Sequence, residues 1–393
     1  MTHTVIVGAG IAGLWLALQL ARRGDRVSVL EKYDYIGGRV LTSKKHHVEI
    51  GAGRVHESHS RVGALVDHYR LTRISLGNTT MWISRKSDGV PEPNDFEPTW
   101  AAICDQIALL PPSILSTHTL RELAVRIMGS KEADAFLERF PYRAELNTMR
   151  ADVALQSFRS NGDMGTRDGY YVVREGLSTI INRLATEGRR AGVAIRTGTE
   201  VVRLEGTTIH IKGRAKIHAD RVILATHVVA LQKLLPSVPW TRYLTMEPLT
   251  RIYAQYPTPA WFADIPKFVT DSPLRYVIPM DPTSGTIMIS YTDADDTRWW
   301  RGLKGKALIR AIQSELHVVF PDRTIPDPIW MNAYEWSEGC TYWRPGDYDP
   351  ATVASQLMNP SPNLYVCGES LSVGHQAWME GALESAEALL KTL

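Results

Sequence analysis

The chain has 393 residues, 44% of them hydrophobic and 22% charged, with a formal net charge of +2, which suits a globular protein long enough for two packed bodies. A charge so near zero, with no dominant Lys/Arg block, argues against a dedicated nucleic-acid surface. Cys104, Cys340 and Cys367 fit neither a disulfide framework nor a zinc site, and no apolar run reaches the roughly 18–20 residues of a membrane span. The first residues, MTHTVIVGAG, enter a strand at once and leave no room for a secretory leader. The expectation is a soluble protein of a reducing, cytoplasmic compartment.

The stretch TVIVGAGIAGLWLALQLARRGDRVSVLEK carries the first chemistry. Thr4 to Val7 predicts a buried strand, and Gly8, Gly10 and Gly13 form G-x-G-x-x-G. Leu14, Ala17, Leu18 and Ala21 keep helical spacing, and Arg26 to Leu30 predicts a second strand. Glu31 ends that strand, 31 − 13 = 18 residues past the last glycine. The physical roles follow: Gly8 makes the tight turn, Gly10 lets the backbone reach a pyrophosphate, and Gly13 lets helix and strand pack. Ala12 lies in the same phosphate-facing turn, and Glu31 receives ribose hydroxyls. An acid at that place favours a free ribose over a 2′-phosphate, which disfavours NADP.

NAD and FAD share this unit, and the following residues separate them. EKYDYIGGRVLTS places Gly37, Gly38 and Arg39 after the acid. This resembles the extended dinucleotide signature of the flavin-containing amine oxidase superfamily, in which the GGR turn lies over the FAD pyrophosphate. The resemblance implies FAD as cofactor, with Gly38 giving close approach and Arg39 neutralising phosphate.

Next in order, EIGAGRVHESH brings three small residues up to Arg54. It resembles the segment of the L-amino-acid oxidases that passes the flavin at Gly53 and offers an arginine, here Arg54, to a substrate carboxylate. A fork-shaped guanidinium suits such a planar anion. Arg54 serving FAD, or pairing with Glu49, are the alternatives. From Pro91 to about Gly165 the family signal fades. A Pro-rich loop, GVPEPNDFEP, precedes amphipathic patterns such as TLRELAVRIMG and EADAFLERF, which predict a small helical cap.

Beyond the cap the resemblance returns. YVVREGLSTIINRLA predicts a strand–turn–helix step back to the FAD domain, Val201 falls where a backbone meets adenine, and ADRVILATH predicts a buried strand. In MEPLTRIYAQYPTPAWF, Arg251 takes the place of the family lysine near flavin N5, which puts oxygen reactivity in doubt. Tyr291 falls on the phenol that helps hold the carboxylate. Cys340 lies near the position that bonds flavin covalently in monoamine oxidases, with a buried, inert thiol as the favoured reading. In NLYVCGESLSVGHQAWMEGALESAEALL, Gly368 and Glu369 resemble the closing FAD turn, Trp378 the aromatic wall beside the flavin, and Met379 the start of a helix beneath it. His227, His317 and His375 read as structural.

The expected fold is therefore α/β. A Rossmann-like FAD domain of the glutathione-reductase-like, amine oxidase type is built from residues 1–57, 170–240 and 361–393. A mixed β-sheet substrate domain spans 58–90 and 241–360, and a helical cap spans 91–169. The expected function is oxidative deamination of an L-α-amino acid, with Arg54, Tyr291, Trp378 and Arg251 around the substrate and molecular oxygen as acceptor. The alternatives are a monoamine or polyamine oxidase, a flavin dehydrogenase with another acceptor, and a flavin-holding protein without turnover.

Overall fold

A computed structural model describes residues 1–77, 79–160 and 169–393. The opening segment folds as its pattern predicts, into β1 (His3–Val7), α1 (Ile11–Arg22) and β2 (Arg26–Leu30). Short elements follow: β3 (Val55–His56), α2 (Ser60–His68), β4 (Arg73–Ser75), β5 (Met81–Trp82) and β6 (Glu92–Pro93). The next run is helical: α3 (Phe96–Ala108), α4 (Pro112–Thr117), α5 (Leu120–Met128), α6 (Ser130–Leu137), α7 (Ala144–Asn147) and α8 (Ala151–Ser160). Then come β7 (Tyr170–Val173), α9 (Ser178–Arg190), β8 (Ala194–Arg196), β9 (Val201–Glu205), β10 (Thr208–Ile211), β11 (Ile217–His218) and β12 (Arg221–Leu224). Helices α10 (Val228–Leu234) and α11 (Trp240–Tyr243) precede β13 (Leu244–Gln255), β14 (Phe268–Val269), β15 (Tyr276–Asp281) and β16 (Thr286–Asp293). The chain closes with α12 (Gly305–Val319), β17 (Trp330–Trp343), α13 (Pro350–Met358), β18 (Leu364–Val366) and α14 (Met379–Thr392).

Val5 and Ile6 of β1 are fully buried. A strand apolar on both faces suits the middle of a parallel sheet, and β1 lies parallel between β2 and β12. The sheet order β18-β12-β1-β2-β8 brings the last strand of the chain within two places of the first. Helices α9 and α14 flank α1 over one face, where Leu14, Leu18, Ile180, Leu184, Leu383 and Ala386 share one core. A second sheet of seven strands, in the order β17-β13-β16-β15-β14-β5-β6, carries the two long antiparallel strands β13 and β17. A small sheet has the order β3-β7-β4.

The amphipathic patterns of residues 119–137 fold as helices. Thr119 and Glu122 cap α5 reciprocally: the Glu122 N–H donates to Thr119 Oγ1 at 3.3 Å, and the Thr119 N–H to Glu122 Oε2 at 2.8 Å. The Pro-rich GVPEPNDFEP differs from the expected cap loop. Its Glu92–Pro93 pair forms the edge strand of the seven-stranded sheet against β5, a place where proline's missing N–H costs no ladder bond. Residues 161–168 of the expected cap lie outside the described residues.

Arg275, only 3% exposed, clamps the helical segment to the seven-stranded sheet. Its guanidinium donates to the carbonyls of Glu138 (3.0 Å) and Phe140 (2.8 Å) and to the Glu138 carboxylate (2.7 Å). Asp293 completes the seam by accepting the Arg143 and Ala144 N–H groups at 2.8 and 3.1 Å. Removing one partner of a buried, hydrogen-bonded charge pair costs about 3–5 kcal/mol. Arg275→Met is therefore expected to lower the stability of the FAD-loaded protein by about that amount in urea unfolding. A loss below about 1 kcal/mol, the level of an exposed pair, would show that Arg275 does not hold the seam.

Candidate active site

Two glycine turns meet at the start of α1. Gly8 has φ +110°, and a Cβ there would lie 2.4 Å from the Ala225 carbonyl oxygen. A Cβ on Gly13 would lie 2.2 Å from the Gly8 oxygen, so strand and helix pack as closely as the motif requires. Gly10, by contrast, has open space where its Cβ would stand, and Gly37 bridges to it from the GGR turn. No side chain caps α1, and no acid stands in its first turn. Its free N–H groups and positive dipole end suit a pyrophosphate. Glu31, 6% exposed, is held by the N–H groups of Ala9 (2.8 Å) and Tyr33 (3.0 Å). Val201 opens β9 and is half-buried. An uncapped, glycine-lined helix end with a fixed acid beyond it fits a dinucleotide without any rearrangement.

Arg39 and Glu369, both expected to serve the cofactor, are paired with one another. Arg39 Nη1 donates to Glu369 Oε1 at 2.8 Å and to the Gly339 carbonyl at 2.9 Å. Glu369 also accepts from Thr341 Oγ1 at 2.7 Å and from the Ala377 N–H at 3.1 Å. The GAG stretch before Arg54 runs over this centre. A Cβ on Gly51 would fall 1.9 Å from the Arg39 carbonyl oxygen, and one on Gly53 would fall 2.2 Å from Arg251 Nη1. The small residues thus give room to two arginines, one on each side of the backbone.

Arg54 projects into a cavity beyond them. Its guanidinium carbon lies 4.5 Å from the Tyr170 ring, 5.1 Å from Tyr142 and 5.4 Å from Trp378. Tyr170 and Trp378 are nearly parallel, at 21° with centroids 5.9 Å apart. Such faces hold a planar fork by cation–π attraction while its edge stays available for hydrogen bonds. Glu49, the acid weighed above as a partner for Arg54, accepts from the Leu177 N–H at 2.7 Å and Thr42 Oγ1 at 2.9 Å. Burial raises its carboxyl despite those bonds.

Arg251 and Tyr291 are direct partners across β13 and β16. The Arg251 guanidinium sits 4.8 Å from the Tyr291 ring centroid, and Tyr142 meets Tyr291 edge-on at 5.2 Å. Burial pushes the Tyr291 phenol up to about 12, so it stays a hydrogen-bond donor at neutral pH. Trp378 precedes α14, which has no side-chain cap of its own. Met379 opens that helix and is buried, while Glu380 turns away to accept the Arg61 and Val62 N–H groups of α2, each at 3.0 Å.

The structure therefore brings Arg54, Tyr291, Trp378 and Arg251 into one neighbourhood, with Gly53 between the two arginines. Tyr142, Tyr170 and Lys267 also line the cavity and were not singled out from the sequence. Tyr142 lies within the cap and Tyr170 just after it, where the family signal is weak, and Lys267 lies in a loop with no motif. Of the three histidines read as structural, two have ring contacts, and the buried Nδ1 of His227 has no hydrogen-bond partner among the described residues. His375 contacts Glu384 at 3.2 Å, His317 contacts the Gln313 carbonyl at 2.6 Å, and His227 precedes α10. No helix among the described residues is long and apolar enough to cross a membrane, and none of their side-chain clusters suits a metal.

With this geometry in view, the sequence profile of the flavin-containing amine oxidoreductases matches residues 11–388. The chain belongs to that family. FAD is its cofactor. Among curated relatives, an L-amino-acid oxidase of Mus musculus is 24% identical over 450 residues, covering 97% of this chain and 69% of that protein. One of Bungarus fasciatus is 41% identical over 86 residues, covering 20% of this chain and only 17% of the relative. Among solved structures, putrescine oxidase bound to putrescine superposes with a TM-score of 0.79 at 17% identity, covering 100% of this chain and 98% of that one. At that identity the likeness concerns the fold.

Cys340 lies on β17, two residues before Tyr342, opposite Glu247 of β13. Burial, with Glu369 next in effect, pushes its thiol up to about 12, so at neutral pH it carries its proton and is a poor nucleophile. FAD is accordingly expected to bind without a covalent bond. After unfolding in guanidinium and ultrafiltration, the yellow absorbance should pass into the filtrate. Flavin retained with the polypeptide would establish the linkage instead.

Proposed function

We propose that this flavin-containing amine oxidoreductase deaminates an L-α-amino acid, with Arg54 and Tyr291 holding the carboxylate. The observation that carries this reading is the charge of the cavity. Its described lining residues include Arg54, Arg251 and Lys267 but no aspartate or glutamate. A substrate that is only an ammonium ion finds no carboxylate among these described lining residues, which disfavours it. An α-carboxylate meets the opposite.

The residues divide the work. Arg54 is steadied by Tyr170, Tyr142 and Trp378, so little of its rotamer freedom is lost when a carboxylate docks on the fork. Tyr291 adds a neutral O–H donor. Trp378 walls the Cα region, and the apolar Ile278, Met280 and Met288 leave space for a side chain. FAD supplies the two-electron acceptor: Cα–H departs as hydride, the amine gives up a proton, and hydrolysis of the imine yields a 2-oxo acid and ammonia, with hydrogen peroxide where oxygen is the final acceptor. Among the described lining residues no carboxylate or histidine offers itself as a base, which suits a substrate that enters with its amine already neutral.

The competing reading is a monoamine or polyamine oxidase, in which Arg54 serves the cofactor. Anaerobic bleaching of the FAD-loaded protein separates the two. L-Amino acids are expected to bleach the flavin while their decarboxylated amines do not, and the reverse pattern would overturn the reading. Arg54→Met is expected to leave FAD content intact and raise KM roughly 10- to 150-fold, the equivalent of about 1.5–3 kcal/mol for hydrogen bonds to a charged group. Loss of FAD would assign Arg54 to the cofactor.

A further inference from the structure

The deeply buried arginines of this protein show what Arg251 lacks. Arg150, 2% exposed, grips Asp152 through Nε and Nη2, both at 2.7 Å. Arg275, 3% exposed, reaches Glu138 at 2.7 Å and Asp296 at 3.4 Å. Arg251, 8% exposed, has no carboxylate within ion-pair distance among the described residues. Its polar partners are neutral: the Glu49 carbonyl, 3.4 Å from Nη1, and the phenols of Tyr253 and Tyr291, while its Nε has no acceptor among the described residues. A buried guanidinium cannot shed its proton, and a buried charge without a counter-charge is costly. Arg251 lines the cavity, so what it faces there is the substrate space.

A simple amino acid, bound with its amine neutral, has a single carboxylate and leaves the Arg251 charge in place. Its carboxylate answers Arg54 alone. Arg54, Tyr142, Tyr291 and Arg251 form a continuous chain of ring contacts at 5.1, 5.2 and 4.8 Å, which sets the second guanidinium beyond the first along one wall. We infer that the substrate carries a second acidic group, that is, a dicarboxylic L-amino acid, with the α-carboxylate on Arg54 and the side-chain carboxylate on Arg251. The inference rests on the amino-acid reading above and narrows it. Lys267, anchored on the Leu76 and Gly77 carbonyls at 3.2 and 2.8 Å, adds to the positive field of the same cavity.

The test compares isosteres. Rates of anaerobic flavin reduction are measured on the FAD-loaded protein with L-glutamate against L-glutamine and with L-aspartate against L-asparagine. At least one acidic member is expected to exceed its amide by about 100-fold or more in the ratio of rate to half-saturation. In Arg251→Met, with FAD content unchanged, that ratio is expected to fall towards one, while Arg251→Lys retains part of it. Equal reduction by acid and amide in the native protein overturns the inference and leaves the amino-acid reading standing, whatever the variants do. Reduction by decarboxylated amines alone overturns both. A ratio that survives intact in Arg251→Met assigns the preference elsewhere and also overturns it.

Discussion

The Glu369 carboxylate is the fixed point on which the site depends. It is 6% exposed and joins Arg39, Thr341 and the Ala377 N–H, so one group ties the turn after β2, the end of β17 and the turn before α14. Each tie places something. Ala377 stands at φ +65°, a left-handed conformation that costs an alanine about 1–2 kcal/mol, and its N–H is held there by Glu369. The next residue is Trp378. On the other side, Arg39 offers its carbonyl to the Ala52 N–H at 2.8 Å and seats Gly51 against it. Two residues further on is Arg54. The aromatic wall and the arginine that leans on it are therefore set by opposite ends of a single ion pair.

Charge is organised with the same economy. Most buried arginines are spent on structure and answered by carboxylates, as at Arg150 and Arg275. In the cavity, aromatic faces also hold arginines, Arg54 over Tyr170 and Arg251 over Tyr291. A ring face attracts a cation without neutralising it. At Arg251, which has no carboxylate within ion-pair distance among the described residues, the guanidinium is steadied while its charge is kept. A carboxylate in the same position would quench it.

What the sequence made legible was what is local. The βαβ unit could be read because three glycines, a helical apolar stripe and Glu31 lie within one short stretch, and each glycine's role is decided by neighbours a few residues away. Arg54, Tyr291, Trp378 and Arg251 could be nominated through the family resemblance, and the structure does gather them. The pairing of Arg39 with Glu369 could not be read, because the two are 330 positions apart and each has a plausible partner in phosphate or ribityl. Nor could Tyr142 or Lys267, whose places depend on how the cap and the β14 loop fold over the sheet. The Pro-rich loop misled for a similar reason: Pro93 looks like a strand breaker until an edge position is available to it.

Tyr142 shows why the cap cannot be treated as a detachable lid. Its backbone is followed at once by the Arg143 and Ala144 N–H groups that dock on Asp293, and burial pushes that carboxyl up to about 6. Arg275, beside the same seam, holds the Phe140 carbonyl just before it. Tyr142 is thus pinned from both sides to the sheet that carries Tyr291, two residues from Asp293. Because its ring touches both Arg54 and Tyr291, any shift of the cap moves a contact of the pair proposed to hold the carboxylate. Access and recognition are coupled here by packing alone, and a cap rebuilt for another side chain must keep the stretch from Phe140 to Ala144 in register to keep the carboxylate site.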